Sequence, residues 1–127
     1  MRLLLVRHAE AAPGDPDELR ALTAEGHEQA RRLGEQLRAQ GLVPDVVLSS
    51  PLLRARQTAA GLGFGEAEPL DELGPGATAD DVRTAIRGRG ETVAVVGHQP
   101  DCSRIAASLQ GGEEPAFPPA GAQIIDL

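Results

Sequence analysis

Short apolar runs that alternate with helical segments are the feature that most constrains the fold of this chain. The clearest runs cover residues 3–6 (LLLV), 46–48 (VVL) and 92–98 (TVAVVGH). Runs that are apolar without alternation predict strands buried on both faces. Strands that alternate with helices predict right-handed crossovers and parallel pairing. We therefore expect one α/β domain over residues 1–127, a three-layer α/β/α sandwich with a mainly parallel central sheet.

Turn residues and helix caps divide the rest of the chain. A loop is predicted over residues 11–21, which hold two prolines and one glycine, and residues 66–77 contain a possible short strand. After a proline-rich connector, residues 122–127 predict a last strand. Capping and stop residues predict four helices, which run from Thr23 to Gly41, from Ser50 and Pro51 to about Ala60, from Thr78 to Ile86, and from Pro100 to Gly111.

The composition excludes several classes of function. All twelve basic residues are arginines, so the chain has no lysine for a Walker-type phosphate loop or for Schiff-base chemistry. The formal net charge of -7 argues against nucleic acid or an anionic membrane as the main partner, because both are bound through excess positive charge. Arginines gathered in one cleft would remain compatible with this overall charge, and they suit bidentate contacts with anions.

Cysteine usage and hydropathy indicate the compartment. The single cysteine, Cys102, excludes an internal disulfide and a multi-cysteine metal site. The first apolar run follows Met1 almost at once, so we expect no signal peptide, and no run reaches the length that spans a membrane. We therefore expect a cytoplasmic protein.

Two of the three histidines stand at the ends of predicted strands. Arg7 and His8 follow the first strand, and His98 ends the run at residues 92–98. The carboxyl ends of parallel strands meet at one edge of a sheet, where open α/β folds bind ligands. Either histidine alone could be structural, but their matching positions favour a shared site.

Arg54 breaks a local rule of helix electrostatics. It lies in the first turn of the helix predicted after Pro51, where the helix dipole disfavours a cation by up to about 1 kcal/mol. A bound anion would reverse that penalty, because it accepts hydrogen bonds from the guanidinium and from the helix N–H groups. Arg54 is therefore a candidate anion ligand, whereas Arg56 is expected to be solvated.

Four motifs together resemble those of the histidine phosphatase superfamily, also called the phosphoglycerate mutase-like family. RHAE at residues 7–10 resembles the RHG-type signature, with Ala9 in place of the usual glycine. LTAEGHEQA at 22–30, SSPLLRARQTA at 49–59 and VVGHQP at 95–100 follow in the order that the family has. The small size and the GHQP ending most resemble the SixA-type phosphohistidine phosphatases.

The resemblance implies a fold and a chemistry. The fold would be phosphoglycerate mutase-like, and the activity would be phosphoryl transfer without a metal or other cofactor. His8 would be the nucleophile that forms a phosphohistidine intermediate, while Arg7, Arg54 and His98 would bind the phosphoryl oxygens. Glu72, in an LDE segment that resembles the family's LxE element, is the expected general acid, with Glu10 as the alternative.

The lengths of two segments indicate the class of substrate. Relatives that act on small molecules carry longer insertions after the first strand and before the second histidine, whereas the corresponding segments here are only residues 11–21 and 66–77. This predicts an open site for phosphohistidine on a partner protein. A small phosphate ester is the alternative substrate, and a phosphate-binding module without turnover is a further alternative.

Overall fold

Five strands and four helices alternate along the chain in the computed structural model, which describes residues 1–127. The strands are β1 (Arg2–Arg7), β2 (Val46–Ser49), β3 (Ala67–Pro69), β4 (Thr92–Gly97) and β5 (Ala122–Asp126). The helices are α1 (Ala24–Ala39), α2 (Leu53–Gly61), α3 (Ala79–Ile86) and α4 (Asp101–Gln110). Short 3-10 turns at Asp17–Leu19 and Asp71–Leu73 follow β1 and β3.

The strands form one sheet in the order β3-β2-β4-β1-β5. The first four are parallel to one another, and β5 runs antiparallel to β1 at one edge. Interior strand β1 pairs with the central strand β4 so that Arg2 lies opposite Thr92 and Arg7 opposite Gly97. The predicted mainly parallel α/β sandwich is confirmed, and the possible strand within residues 66–77 is β3.

Side chains of β1 alternate between two separate hydrophobic cores. Leu3 and Leu5 pack with residues of α3 and α4 on one face of the sheet. Leu4 and Val6 pack with residues of α1 and α2 on the other face. All four leucine and valine side chains are almost fully buried. An unbroken apolar run is therefore required here, because the strand has no solvent-facing side.

Two glycines of α1 allow close backbone contacts. A methyl group at Gly26 would lie 2.1 Å from the carbonyl oxygen of Glu10, and one at Gly34 would lie 2.1 Å from that of Leu62. Gly26 thus lets the start of α1 touch the segment after β1. Gly34 lets α1 lie directly against the end of α2.

The start of α2 differs from the prediction. Ser50 and Pro51 are good cap and first-turn residues, but the helix begins at Leu53, and Leu52 occupies the cap position without a side-chain cap. The Ser50 hydroxyl accepts a hydrogen bond from the Leu52 N–H at 3.2 Å, yet its other partner is the imidazole of His98. The residue that resembles a cap in the sequence is therefore a residue of the site. The other three predicted helices begin at their predicted caps, Thr23, Thr78 and Pro100.

The helix contact at Gly34 gives a test of the packing. Gly34→Ala should lower the free energy of unfolding by about 2 kcal/mol or more, because the clash with Leu62 outweighs the roughly 1 kcal/mol gain in helix propensity. Gln36→Ala, on the exposed side of the same helix, should leave stability nearly unchanged. Urea unfolding of both variants measures the difference, and equal stabilities would contradict the proposed close contact.

Candidate active site

The structure brings His8 and His98 together at the carboxyl edge of the sheet. His8 follows β1 and donates its backbone N–H to the carbonyl of Gly97 at 2.9 Å, so the two strand ends are joined. The imidazole ring centroids lie 5.3 Å apart, with an angle of 61° between the ring planes. Arg7 ends β1, and Arg54 lies in the first turn of α2.

Buried nitrogens without a hydrogen-bond partner concentrate at this site. Three of the four buried side-chain polar atoms that lack a partner are Arg7 Nε, Arg54 Nε and His98 Nδ1. Arg54 is only 7% exposed and His98 only 5%. Buried polar groups normally have partners, so such groups require an explanation. An oxyanion bound among them would accept hydrogen bonds from all three.

The hydrogen bond of His8 determines which ring nitrogen is available. Its Nδ1 lies 2.7 Å from the carbonyl oxygen of Ala9, which can only accept, so Nδ1 carries the hydrogen. The neutral ring then has its lone pair on Nε2. Burial lowers the pKa of His8, the Ala9 carbonyl opposes this, and the nearby charges of Arg54 and Arg7 lower the pKa further. The neutral form, which can act as a nucleophile, is therefore favoured at neutral pH.

Ser50 fixes the orientation of His98. Its hydroxyl lies 2.7 Å from His98 Nε2 and accepts from the Leu52 N–H, and it has no other acceptor within hydrogen-bond distance. We infer that the hydroxyl donates to Nε2, which leaves the hydrogen on Nδ1, pointing away from Ser50. Burial, followed by the charges of His8 and Arg54, lowers the pKa of His98 to about 4. A neutral His98 can thus offer an N–H to an anion.

Thr58 connects the helix that carries Arg54 with the segment that carries His8. Its hydroxyl donates to the carbonyl of Arg54 at 2.8 Å and accepts from the N–H of Ala9 at 2.9 Å. Ala9 itself is fully buried. Ala120 is the only residue other than glycine with a positive φ, so alanine fits at position 9 without backbone strain. One hydroxyl therefore fixes the spacing between two predicted site residues.

Two glutamines of the motifs also hold the surrounding segments. Gln57 Oε1 accepts from the backbone N–H of Leu22 at 2.8 Å, and Gln29 Oε1 accepts from that of Glu10 at 2.9 Å. Thr23 caps α1, as predicted, by accepting from the N–H of Gly26. The position of Gln29 in the sequence predicts a residue that packs a helix. In the structure its side chain also holds the segment that follows His8.

Asp17 is a site residue that the sequence did not indicate. Arg54 donates from Nη1 to the backbone oxygen of Asp17 at 2.9 Å and from Nη2 to its carboxylate at 3.1 Å. The same carboxylate accepts from Arg20 at 3.2 Å. The hydrogen bonds from Arg20 and Arg54 lower the pKa of Asp17, which is therefore charged at neutral pH. Asp17 lies in a loop without a periodic pattern, so no sequence signal paired it with Arg54.

Neither candidate acid forms a hydrogen bond with an imidazole of the site. Glu72 is exposed in the turn after β3, and its charge contributes to the raised pKa of Arg89 instead of acting on either histidine. Glu10 is exposed and accepts a hydrogen bond from the Thr23 hydroxyl at 2.8 Å. Neither carboxylate bonds a residue of the site, so the identity of the general acid stays a prediction.

Cys102 is close to the site but is not a nucleophile. Its side chain is fully buried in the core beside α3 and β1, and its thiol points to the carbonyl of Val6 at 3.8 Å. Burial, with the charge of Asp101, raises the pKa of this thiol to about 12. A thiol with such a pKa carries almost no thiolate at neutral pH, and the thiolate is the reactive form.

The largest surface groove is not lined by His8, His98, Arg7 or Arg54. Its volume is about 470 Å³, and it lies between α2 and β3. Ser49 lines it together with Arg56, which is exposed, as predicted. The candidate site is therefore identified by its converging donors and not by the size of a cavity.

The tautomer and pKa of His98 can be measured directly. NMR of imidazole-labelled protein should show the Nδ1–H form of His98, with protonation centred near pH 4. Ser50→Ala should convert this to a mixture of tautomers, because the donor to Nε2 is lost. A single Nε2–H form in the unsubstituted protein would contradict the assignment.

The lowered pKa of His98 also makes folding stability depend on pH. In the unfolded chain this imidazole binds a proton near pH 6.5, so its contribution to stability is fully present above that pH and decreases as the pH falls toward 4.

Comparison with known proteins agrees with these observations. Residues 3–74 match the family model of the histidine phosphatase superfamily (branch 1). The chain is 33% identical over 125 residues to phosphohistidine phosphatase SixA of Escherichia coli strain K12, covering 91% of this chain and 78% of that protein.

Solved structures show the same fold. The structure of the protein histidine phosphatase SixA complexed with tungstate superposes with a TM-score of 0.91 and 29% identity, covering 100% of this chain and 88% of that one. The crystal structure of TTHB049 from Thermus thermophilus gives a TM-score of 0.70 and 28% identity, covering 99% and 94% of the two chains. No helix of this protein is sufficiently long and apolar to cross a membrane. On its motifs, its fold and these matches, the chain belongs to the histidine phosphatase superfamily and is a SixA-like phosphatase.

Proposed function

We propose that the enzyme removes the phosphoryl group from phosphohistidine on a partner protein, through a phosphohistidine intermediate on His8. The observation that carries the proposal is the hydrogen bond from His8 Nδ1 to the Ala9 carbonyl, which leaves Nε2 as the nucleophilic nitrogen. The similar E. coli protein is named a phosphohistidine phosphatase, which supports the substrate class. A cytoplasmic location and a single domain over residues 1–127 are parts of the same proposal.

The first step transfers the phosphoryl group to His8. Its Nε2 attacks phosphorus, the phosphorus–nitrogen bond of the substrate breaks, and the departing imidazole nitrogen takes up a proton. Arg7, Arg54 and His98 would hold the three equatorial oxygens, each through a buried nitrogen that has no protein partner. Donors fixed in this way stabilise charge in the transition state without reorganisation.

The second step hydrolyses the intermediate. Water attacks phosphorus, the bond to His8 Nε2 breaks, and inorganic phosphate leaves. The Ala9 carbonyl holds the ring in one orientation throughout, because Nδ1 keeps its hydrogen in both steps. The enzyme is thus returned to its starting state without a cofactor.

A protein substrate is favoured over a small ester by the segments around the site. The segment between β1 and α1 bears only a three-residue 3-10 turn, and that between β3 and α3 bears another. Neither supplies a domain that could cover a small molecule. A phosphomonoesterase for small substrates is the alternative, while a binding module without turnover is disfavoured because His8, Arg7, Arg54 and His98 are all at the site.

A trapping experiment tests the nucleophile. With a carrier protein that bears radiolabelled phosphohistidine, the enzyme should acquire an acid-labile label on His8, located by peptide mapping. His8→Ala should lose the label and about 1,000-fold or more of the turnover, while inorganic phosphate still binds. His27→Ala, which removes an exposed histidine on α1, is the matched control and should behave as the unsubstituted enzyme. Label on any other residue would contradict the mechanism.

Leaving-group chemistry tests the general acid. A phosphohistidine nitrogen departs readily, whereas an alkyl oxygen requires protonation as it leaves. Glu72→Gln should therefore leave hydrolysis of phosphohistidine within about twofold and lower that of glycerol phosphate about tenfold or more. The same comparison with Glu10→Gln distinguishes the two candidates. Equal losses on both substrates would exclude an acid role for the residue concerned.

A further inference from the structure

Two loops are hydrogen-bonded to the arginines of the site. Residues 11–21 supply Asp17, whose backbone oxygen and carboxylate accept hydrogen bonds from Arg54. Residues 115–121 supply the Phe117 carbonyl, which accepts from Arg7 Nη1 at 2.9 Å. We call the exposed residues of these two loops the rim. Its position is fixed by the same side chains that would bind the phosphoryl group.

Leu19 is the apolar residue that the rim exposes most. Its exposure is 64%, the highest among the five large hydrophobic residues on the surface. It lies two residues after Asp17 in the same 3-10 turn, so its position follows that of the anchored carboxylate. The rim is otherwise rich in exposed prolines, namely Pro13, Pro16, Pro118 and Pro119.

The other exposed hydrophobic residues lie elsewhere. Met1 and Leu127 lie next to each other, at the opposite end of β1 from His8. Val43, which is 55% exposed, precedes β2 and so lies at the amino edge of the sheet. Ile124 lies within edge strand β5. Scattered apolar residues are ordinary on protein surfaces, but Leu19 is the one beside the site.

The charges of the rim oppose those of the site. Besides Asp17, its exposed charged residues are Asp15 and Glu18, which are both acidic. The one arginine of these loops, Arg20, is bonded to the Asp17 carboxylate and to the Ala12 carbonyl. A free polyanion within a Debye length is repelled by such an acidic rim. A phosphoryl group on a basic protein surface is attracted twice, because the arginines of the site attract the phosphoryl group and the acidic rim attracts the basic surface.

We propose that the rim is the docking surface for the phosphohistidine protein, which contacts Leu19 through an apolar patch and faces the acidic residues with basic ones. This inference rests on the proposed function and extends it to the chemistry of the partner. The prolines hold the rim in shape before binding, which reduces the entropy lost on association. Burial of an exposed leucine side chain in such a contact is favourable, because it removes apolar surface from water.

The test compares the hydrolysis of phosphohistidine on a protein with that of free phosphohistidine. The protein substrate is a histidine phosphocarrier protein that has been phosphorylated with phosphoramidate, and it is called the carrier below. Leu19→Ser should lower kcat/KM on the carrier about tenfold and leave that on free phosphohistidine within about twofold. Val43→Ser is the matched control, because it removes a similarly exposed apolar side chain far from the site and should change neither value.

A second variant tests the charges. Asp15 and Glu18 form no ion pair or side-chain hydrogen bond, so Asp15→Asn with Glu18→Gln alters charge with little effect on structure. The double variant should lower kcat/KM on the carrier at low salt and reduce its dependence on ionic strength.

If wild type hydrolyses the carrier and Leu19→Ser matches it, the docking proposal is overturned while the proposed function stands. If wild type hydrolyses free phosphohistidine but no carrier, the proposed protein substrate is overturned, and the docking surface with it.

Discussion

The parallel pairing of β1 with β4 is the constraint on which the site depends. Its register places Arg7 opposite Gly97, and the N–H of His8 continues the ladder by bonding the Gly97 carbonyl. Two histidines 90 positions apart therefore leave the sheet side by side. A shift of this register by one residue would also turn the buried side chains of β1 to the wrong cores. Folding stability and the geometry of the site are thus consequences of the same hydrogen bonds.

The sequence predicted what depends on local pattern. Unbroken apolar runs located the strands, and the misfit of Arg54 with the helix dipole was enough to mark it as a candidate anion ligand. Contacts set only by tertiary packing could not be predicted in this way. Asp17 belongs to a loop without periodicity, and Ser50 is marked by its place at a strand end and before a proline, but its hydrogen bond to His98 is not. The antiparallel direction of β5 likewise has no signal in its own residues.

The electrostatics of the site oppose those of the whole protein. The chain has a net charge of -7, yet three arginines lie close enough to His8 to lower its pKa. Asp17 partly neutralises this cluster and bonds two of its members. Local positive charge within an acidic surface favours one phosphoryl group in a defined position and disfavours extended polyanions. Overall charge is therefore a poor guide to what such a site binds, although it remains informative about the surrounding surface.

The Thr58 hydroxyl has a consequence for motion. Because it bonds both the Ala9 N–H and the Arg54 carbonyl, a single oxygen atom bridges the nucleophile segment and the start of α2. The segment that carries the attacking nitrogen and the helix that carries a phosphoryl-binding guanidinium are therefore coupled. A displacement of residues 11–21 would reach the same pair, because Asp17 of that loop bonds Arg54. Movement of an exposed loop would thus alter the alignment of the reacting groups as well as the entry of the substrate.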